Sequence, residues 1–197
     1  TELESIFMAS SAQFEETGYK LLEPLLFARV EKDVAAWPWL PCGYCTYKLP
    51  ESNIFGAFAF EPVDQHPVYG KMIAIHIANN RIPYSPLEDI PGLKRELSAL
   101  ADYVAEKYPE HKKIGCNSWL NSLSRFKIIF PDEWTNPESP TDRIGYGYNW
   151  WGQFVSRTGG FNFHNAALMR EKRTFPFQAV DGFCTVDRLR KHLNCLL

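Results

Sequence analysis

The spacing of hydrophobic positions changes along this chain. Over residues 1–40, apolar residues recur at intervals typical of helices, and Gly18 and Pro24 interrupt the pattern. We therefore predict two short helices there, which would form a cover over one side of the protein. The following segment, 37–50, contains three prolines, which predicts irregular structure.

After these prolines the pattern becomes that of strands. The segment 53–63 is apolar on both faces, which is typical of a strand that is covered on both sides. A turn over 65–70 leads to a second strand over 71–80, in which isoleucines alternate with His76 and smaller residues. We predict that the two strands form an antiparallel pair.

The next stretch of the chain has the strongest helix signal. Ser85 is the predicted N-cap, with Pro86 in the first turn and Glu88 in the position that closes a capping box. Pro91 indicates that the helix restarts there after one tight turn, and it should end near Tyr108. Its apolar stripe is formed by Leu93, Leu97, Leu100 and Val104.

Beyond this helix, the segment 112–120 predicts a third strand. Residues 71–120 then form a strand–helix–strand crossover, which is right-handed and places its two strands parallel in one sheet. The segment 121–130 permits either helix or strand, and the aromatic segment 145–155 predicts a further strand. The two helices predicted near the C-terminus are capped by Asn162 and Thr185.

These elements predict an α+β fold with a mixed β-sheet and an N-terminal helical cover. We expect a single domain over 1–197, in which 1–40 form the cover and 50–197 the sheet-and-helix body.

Composition adds a bias towards aromatic residues. The 197 residues include 14 Phe, 9 Tyr and 6 Trp, and large rings fill a wide core or line an apolar groove. The 21 Lys and Arg against 23 Asp and Glu give a net charge of −2, which does not favour nucleic acid. No apolar run is long enough to span a bilayer. A small-molecule substrate is therefore the expected partner.

Cys42 and Cys45 form a C-x-x-C pair that permits several interpretations. Thioredoxin-type chemistry needs a helix directly after the pair, and Pro50 with a strand pattern follows instead. A zinc site needs further ligands at matching spacing, so no metal is expected. We interpret the pair as small buried residues in a turn. An odd count of 5 cysteines and an acidic N-terminal segment favour a reducing, cytoplasmic location.

Two short motifs between residues 55 and 123 carry a resemblance to a known family. “IHI” at 75–77 precedes a capped helix, and “CNSWL” at 116–120 follows it. In this order they resemble a bacterial family of GNAT-like acyltransferases. Ala78 stands where the family has proline, and the family's glycine-containing pyrophosphate loop is absent.

The resemblance implies transfer of an acyl group from acyl-CoA or an acyl-carrier thioester to an amine. In such folds the pantetheine arm lies between two splaying parallel strands, and the pyrophosphate rests on the N-terminus of the following helix. His76 is then the implied catalytic base, with Cys116 or Ser118 orienting the thioester. The implied donor-binding residues are Ile77, Asn79, Arg81 and Ser85. A hydrogen-bonded core histidine is the other interpretation of His76.

The aromatic segment supports an alternative function without catalysis. Stacked rings with flanking amides suit sugars or flat apolar ligands. A small-molecule or carbohydrate-binding protein of the same fold would use Tyr148, Trp150, Trp151 and Gln153. The same rings also suit a core that is packed on both faces of a strand.

Overall fold

A mixed sheet of five strands organises the described part of the chain. The computed structural model describes residues 49–134, 152–158, 162–172 and 175–195. The strands are β1 (Ile54–Phe55), β2 (Phe58–His66), β3 (Gly70–Ile77), β4 (Lys113–Ser118) and β5 (Val180–Thr185). The predicted N-terminal cover over 1–40 and the pair Cys42 and Cys45 lie outside the described residues.

The strands lie in the sheet in chain order. β1, β2 and β3 are antiparallel neighbours, β3 and β4 are parallel, and β4 and β5 are antiparallel. The predicted antiparallel pair and the strand–helix–strand crossover are therefore confirmed, and the fold is α+β.

Four helices accompany this sheet in the described ranges: α1 (Ile90–Lys107), α2 (Ser124–Lys127), α3 (Phe163–Lys172) and α4 (Val186–Asn194). The predicted caps of the last two are confirmed. The side chain of Asn162 accepts a hydrogen bond from the Asn165 amide, and the Thr185 hydroxyl accepts one from the Arg188 amide. None of the described helices combines the length and the apolar character needed to cross a membrane.

The entry into α1 follows the predicted tight turn and restart. Ser85 caps a single 3₁₀ turn by accepting a hydrogen bond from the Leu87 amide. Asp89 is the N-cap of α1 and accepts one from the Gly92 amide at 2.8 Å. The expected capping box is wrong, because the Glu88 side chain pairs with an arginine outside the turn.

Two strand predictions need correction, and one strand has no sequence pattern that predicts it. The segment 53–63 is not one strand, because a turn at Gly56, with a φ of +61°, separates β1 from β2. Gly152–Phe154 is a 3₁₀ turn and not part of a strand. β5 was not predicted at all, since its apolar pattern is broken by Asp181 and Gly182.

The core lies between one face of the sheet and the helices α1 and α4. Phe58, Phe60, Ile73, Ile75 and Ile114 point to this face and are buried against the helices. The predicted stripe of α1 is buried along its whole length, and α4 contributes Val186, Leu189 and Leu193. Burial of these side chains is the main source of stability in the described body.

Candidate functional site

The parallel pair β3 and β4 opens towards its C-terminal end. The two strands pair at three positions, Met72 with Lys113, Ile73 with Ile114, and Ala74 with Gly115. Both strands then continue, to Ile77 and Ser118, without further pairing to each other. We call the residues 75–77 and 116–118 the open end. Their outer edges stay paired to β2 and β5, so the sheet itself is not interrupted.

His76 lies at the open end, on the sheet face opposite the helices. It is opposite Ala59 in the antiparallel ladder, and Glu61 lies two residues further along β2 on the same face. Nε2 of His76 lies 3.3 Å from Oε1 of Glu61, and the two side chains are 30% and 35% exposed. Nε2 is enclosed and makes no aligned hydrogen bond. The carboxylate and the imidazole therefore lie close together without sharing an aligned hydrogen bond.

A second polar pair continues this face on β4 and β5. Nδ2 of Asn117 donates a hydrogen bond to Oδ1 of Asp181 at 2.6 Å. Asn117 lies two residues beyond Gly115, the ladder partner of Ala74, so it shares the face of His76. Glu61, His76, Asn117 and Asp181 thus form a row across four strands, which we call the polar row.

Sequence reasoning found only His76 of this row. Glu61 carries a detectable signal, because it is the one charge inside the apolar run from residue 53 to 63. Asp181 could not be placed, because the strand that carries it was missed. Their proximity depends on the register between strands, which the sequence pattern does not specify.

Cys116 lies on the other face of the sheet. It is two residues beyond Ile114 and packs against the hydrophobic core. Burial raises the pKa of the Cys116 thiol to about 12, although a hydrogen bond from Asn121 lowers it in part. The expectation that His76 and Cys116 act together is therefore corrected. They are on neighbouring strands but on opposite faces, and the thiol is protonated at neutral pH.

Ser118 shares the face of Cys116. It is buried, and its hydroxyl accepts a hydrogen bond from the Leu120 amide at 3.2 Å, which caps a short 3₁₀ turn. Its position therefore fits a role in ending β4 and turning the chain.

The predicted donor-binding residues lie around the loop between β3 and α1. Asn79 donates to the Arg157 carbonyl and accepts from the Arg81 amide, both at 3.0 Å. The Arg81 guanidinium pairs with Asp89 and Glu96. The Ser85 hydroxyl serves as a cap, as described above, and Ile77 packs against the core. Each of the three polar side chains, Asn79, Arg81 and Ser85, thus has partners within the protein.

The predicted aromatic groove receives no support from its one described residue. Gln153 is 0% exposed, and its side-chain amide exchanges two hydrogen bonds with the backbone of Phe177, at 3.0 and 3.1 Å. This buried amide joins two backbone segments, and its ligand-binding role stays a prediction. Tyr148, Trp150 and Trp151 lie outside the described residues.

Within the described ranges, no group of three or more His, Cys, Asp or Glu side chains is placed to hold a metal ion. Comparisons with family models, curated proteins and solved structures found no match to this chain. The GNAT-like resemblance therefore stays a prediction.

Proposed function

We propose that this protein is a GNAT-like acyltransferase that moves an acyl group from a pantetheine thioester to an amine. The observation that carries the proposal is the position of the His76–Glu61 pair at the open end of two parallel strands. The resemblance implies that a pantetheine arm lies in such an opening. A base beside it on the polar row, with 30% of its side chain exposed, is well placed to act on the reacting amine.

The reaction needs one group that accepts a proton and later returns it. The neutral amine attacks the thioester carbonyl, a C–N bond forms, and the amine proton passes to Nδ1 of His76. The C–S bond then breaks, and the imidazolium returns the proton to the leaving sulfur. The products are an amide and a free thiol, so atoms and charge balance without any further reactant.

Glu61 supports this step as a positioning residue. Its carboxylate faces Nε2 of His76, which leaves Nδ1 for proton transfer and stabilises the imidazolium that forms. The pair is partly exposed, so its contribution is screened by water and amounts to about 1 kcal/mol at most. Removing the carboxylate should therefore slow the reaction by up to about fivefold. Loss of the base itself should cost about 100-fold or more.

Cys116 and Ser118 take no part in this mechanism, because they lie on the core face of β4. A cytoplasmic location belongs to the proposal as well, since the free thiols of Cys116, Cys184 and Cys195 suit a reducing compartment.

A thiol-release assay tests the proposed function. S-acetyl-pantetheine and acetyl-CoA are each incubated with the protein and a panel of primary amines, and the released thiol is followed with a chromogenic disulfide. We expect amine-dependent release that falls about 100-fold in His76→Gln and up to about fivefold in Glu61→Gln. His164→Gln is the matched control, because His164 is exposed on α3. Release that is absent with every amine, or equal in His76→Gln and the wild-type protein, would contradict the proposal.

A further inference from the structure

The N-terminus of α1 is closed by a carboxylate. Asp89 is the N-cap, and its Oδ1 accepts the Gly92 N–H at 2.8 Å. Pro91, one position earlier, has no N–H. An anion that binds at a helix start needs free backbone N–H groups there. In the first turn of α1, two of the three leading positions cannot offer one.

A second carboxylate lies beside this cap. Oε2 of Glu96 accepts a hydrogen bond from the Ala57 amide at 2.9 Å, and Oε1 pairs with Arg81. The same guanidinium also contacts Oδ2 of Asp89 at 2.9 Å. We call Arg81, Asp89 and Glu96 the carboxylate cap. Its two carboxylates outweigh its one guanidinium, so it carries a formal charge of −1.

One neighbouring ion pair leaves this balance unchanged. Arg157, whose carbonyl accepts a hydrogen bond from Asn79, is itself paired with Glu88 at 2.9 Å. The Asp89 carboxylate also packs closely on the helix backbone, with Oδ2 only 2.0 Å from where a Cβ on Gly92 would stand. A diphosphate at the start of α1 would lie beside two carboxylates, and the Gly92 N–H that could bind it is already bonded to Asp89.

We propose that the donor is recognised through its pantetheine arm and thioester, and that the nucleotide diphosphate of CoA contributes nothing to binding at α1. This inference rests on the proposed function. The substrate class is a pantetheine thioester whose phosphate end is either absent or attached to a carrier protein. The free thioester and the carrier-bound thioester share the pantetheine arm, which the open end of β3 and β4 would hold.

The test compares two donors that differ only beyond the pantetheine arm. The KM values of S-acetyl-pantetheine and acetyl-CoA are measured by thiol release, with melting temperatures recorded in parallel. We expect KM values within about threefold of each other. An acetyl-CoA KM more than tenfold lower would overturn the inference. A third measurement uses an acetylated carrier protein as the donor. A KM lower than that of S-acetyl-pantetheine indicates a carrier-bound donor, and an equal KM indicates the free thioester.

A charge variant of the cap adds a second test. Asp89→Asn keeps an N-cap acceptor for the Gly92 amide and removes the negative charge, so α1 should stay folded. It should also free Arg81 from one partner. We expect the KM of acetyl-CoA to fall severalfold and that of S-acetyl-pantetheine to stay constant. Asp102→Asn, further along α1 and paired with Arg190, is the control and should change neither. No change with acetyl-CoA in Asp89→Asn would contradict the charge argument.

The two proposals fail in different ways. If neither thioester releases thiol in the presence of amines, the proposed function is wrong and the inference falls with it. If acetyl-CoA is strongly preferred and release still depends on His76, only the inference about the donor is wrong.

Discussion

The side chain of Asn121 joins three parts of the fold. It is 1% exposed. Its Nδ2 donates to the carbonyls of Val180 and Cys116, at 2.7 and 3.1 Å, and its Oδ1 accepts from the indole of Trp134 at 2.9 Å. The amide therefore ties β4 to β5 at the open end and holds the turn that follows α2.

Replacing Asn121 by alanine should destabilise the protein strongly. The three partner groups would each lose their bond to Asn121, and an unsatisfied buried group costs about 1–3 kcal/mol. We expect Asn121→Ala to lower the free energy of unfolding by about 3 kcal/mol, measured by urea denaturation. Ser122→Ala is the control, because the Ser122 hydroxyl bonds to Gln178 at the exposed surface. Equal losses for the two variants would show that the Asn121 network contributes little.

The reactivity of the Cys116 thiol, at the open end of β4, is a further testable property. Because its pKa is raised from 9.0 to about 12, the thiolate, which is the reactive form, is scarcely populated at pH 7.5. We expect iodoacetamide to modify the exposed Cys195 in the folded protein and to spare Cys116, as read by peptide mass spectrometry. Rapid modification of this partly buried thiol without unfolding would contradict its raised pKa.

The raised pKa of Cys116 also makes the stability of the protein depend on pH. A thiol with a raised pKa in the folded state contributes stability that is fully present below pH 9 and is lost as the pH rises towards 12. The free energy of unfolding should therefore decline in this alkaline range, and less so in Cys116→Ser.

Among the elements, the turn between β1 and β2 connects the sheet to α1. Gly56 adopts a φ of +61°, and the Ala57 amide that follows it donates to Glu96 on α1. A Cβ on Gly56 would lie 2.1 Å from the Glu96 carboxyl carbon. The Glu96 side chain is held there by the Ala57 amide and by Arg81, so it cannot move away without losing both partners.

Gly56 and Gly70 share a left-handed backbone conformation but differ in their surroundings. Substituting each by alanine therefore distinguishes the cost of backbone strain from the cost of a steric contact. Gly70 has a φ of +65° with open space around its missing Cβ. We expect Gly70→Ala to cost about 1–2 kcal/mol through the left-handed conformation alone. Gly56→Ala should cost about 1–2 kcal/mol more, since a charge-assisted hydrogen bond is lost as well. Thermal and urea unfolding measure both. A larger loss in Gly70→Ala would contradict the proposed role of the Glu96 contact.

The elements that could be predicted from the sequence are those with local signals. The N-caps Asn162 and Thr185 and the stripe from Leu93 to Val104 act within one or two helical turns, so their pattern is visible in the chain. β5 carries no such signal, because Asp181 and Gly182 interrupt its apolar pattern. Its place as a strand depends on pairing with β4, a partner more than sixty residues away.

On the scale of the whole molecule, the two faces of the sheet differ in chemistry. One face packs against α1 and α4 and carries Cys116 and Ser118 at its open end. The other face carries the polar row with His76. The sequence pattern predicts β3 and β4 and their parallel arrangement correctly, and it places His76 and Cys116 on these neighbouring strands. It did not assign their faces, because the relative register of β3 and β4 is set by tertiary packing.

A ¹⁵N–¹H NMR titration of the assigned protein with S-acetyl-pantetheine tests the proposed thioester site most directly. If the open end holds the pantetheine arm, the amide resonances of residues 75–77 and 116–118 should shift in a saturable way. The amides of Gly92 and Leu93 at the start of α1 should stay in place. Saturable shifts confined to other parts of the chain, or no shifts at millimolar thioester, would contradict a thioester site between β3 and β4.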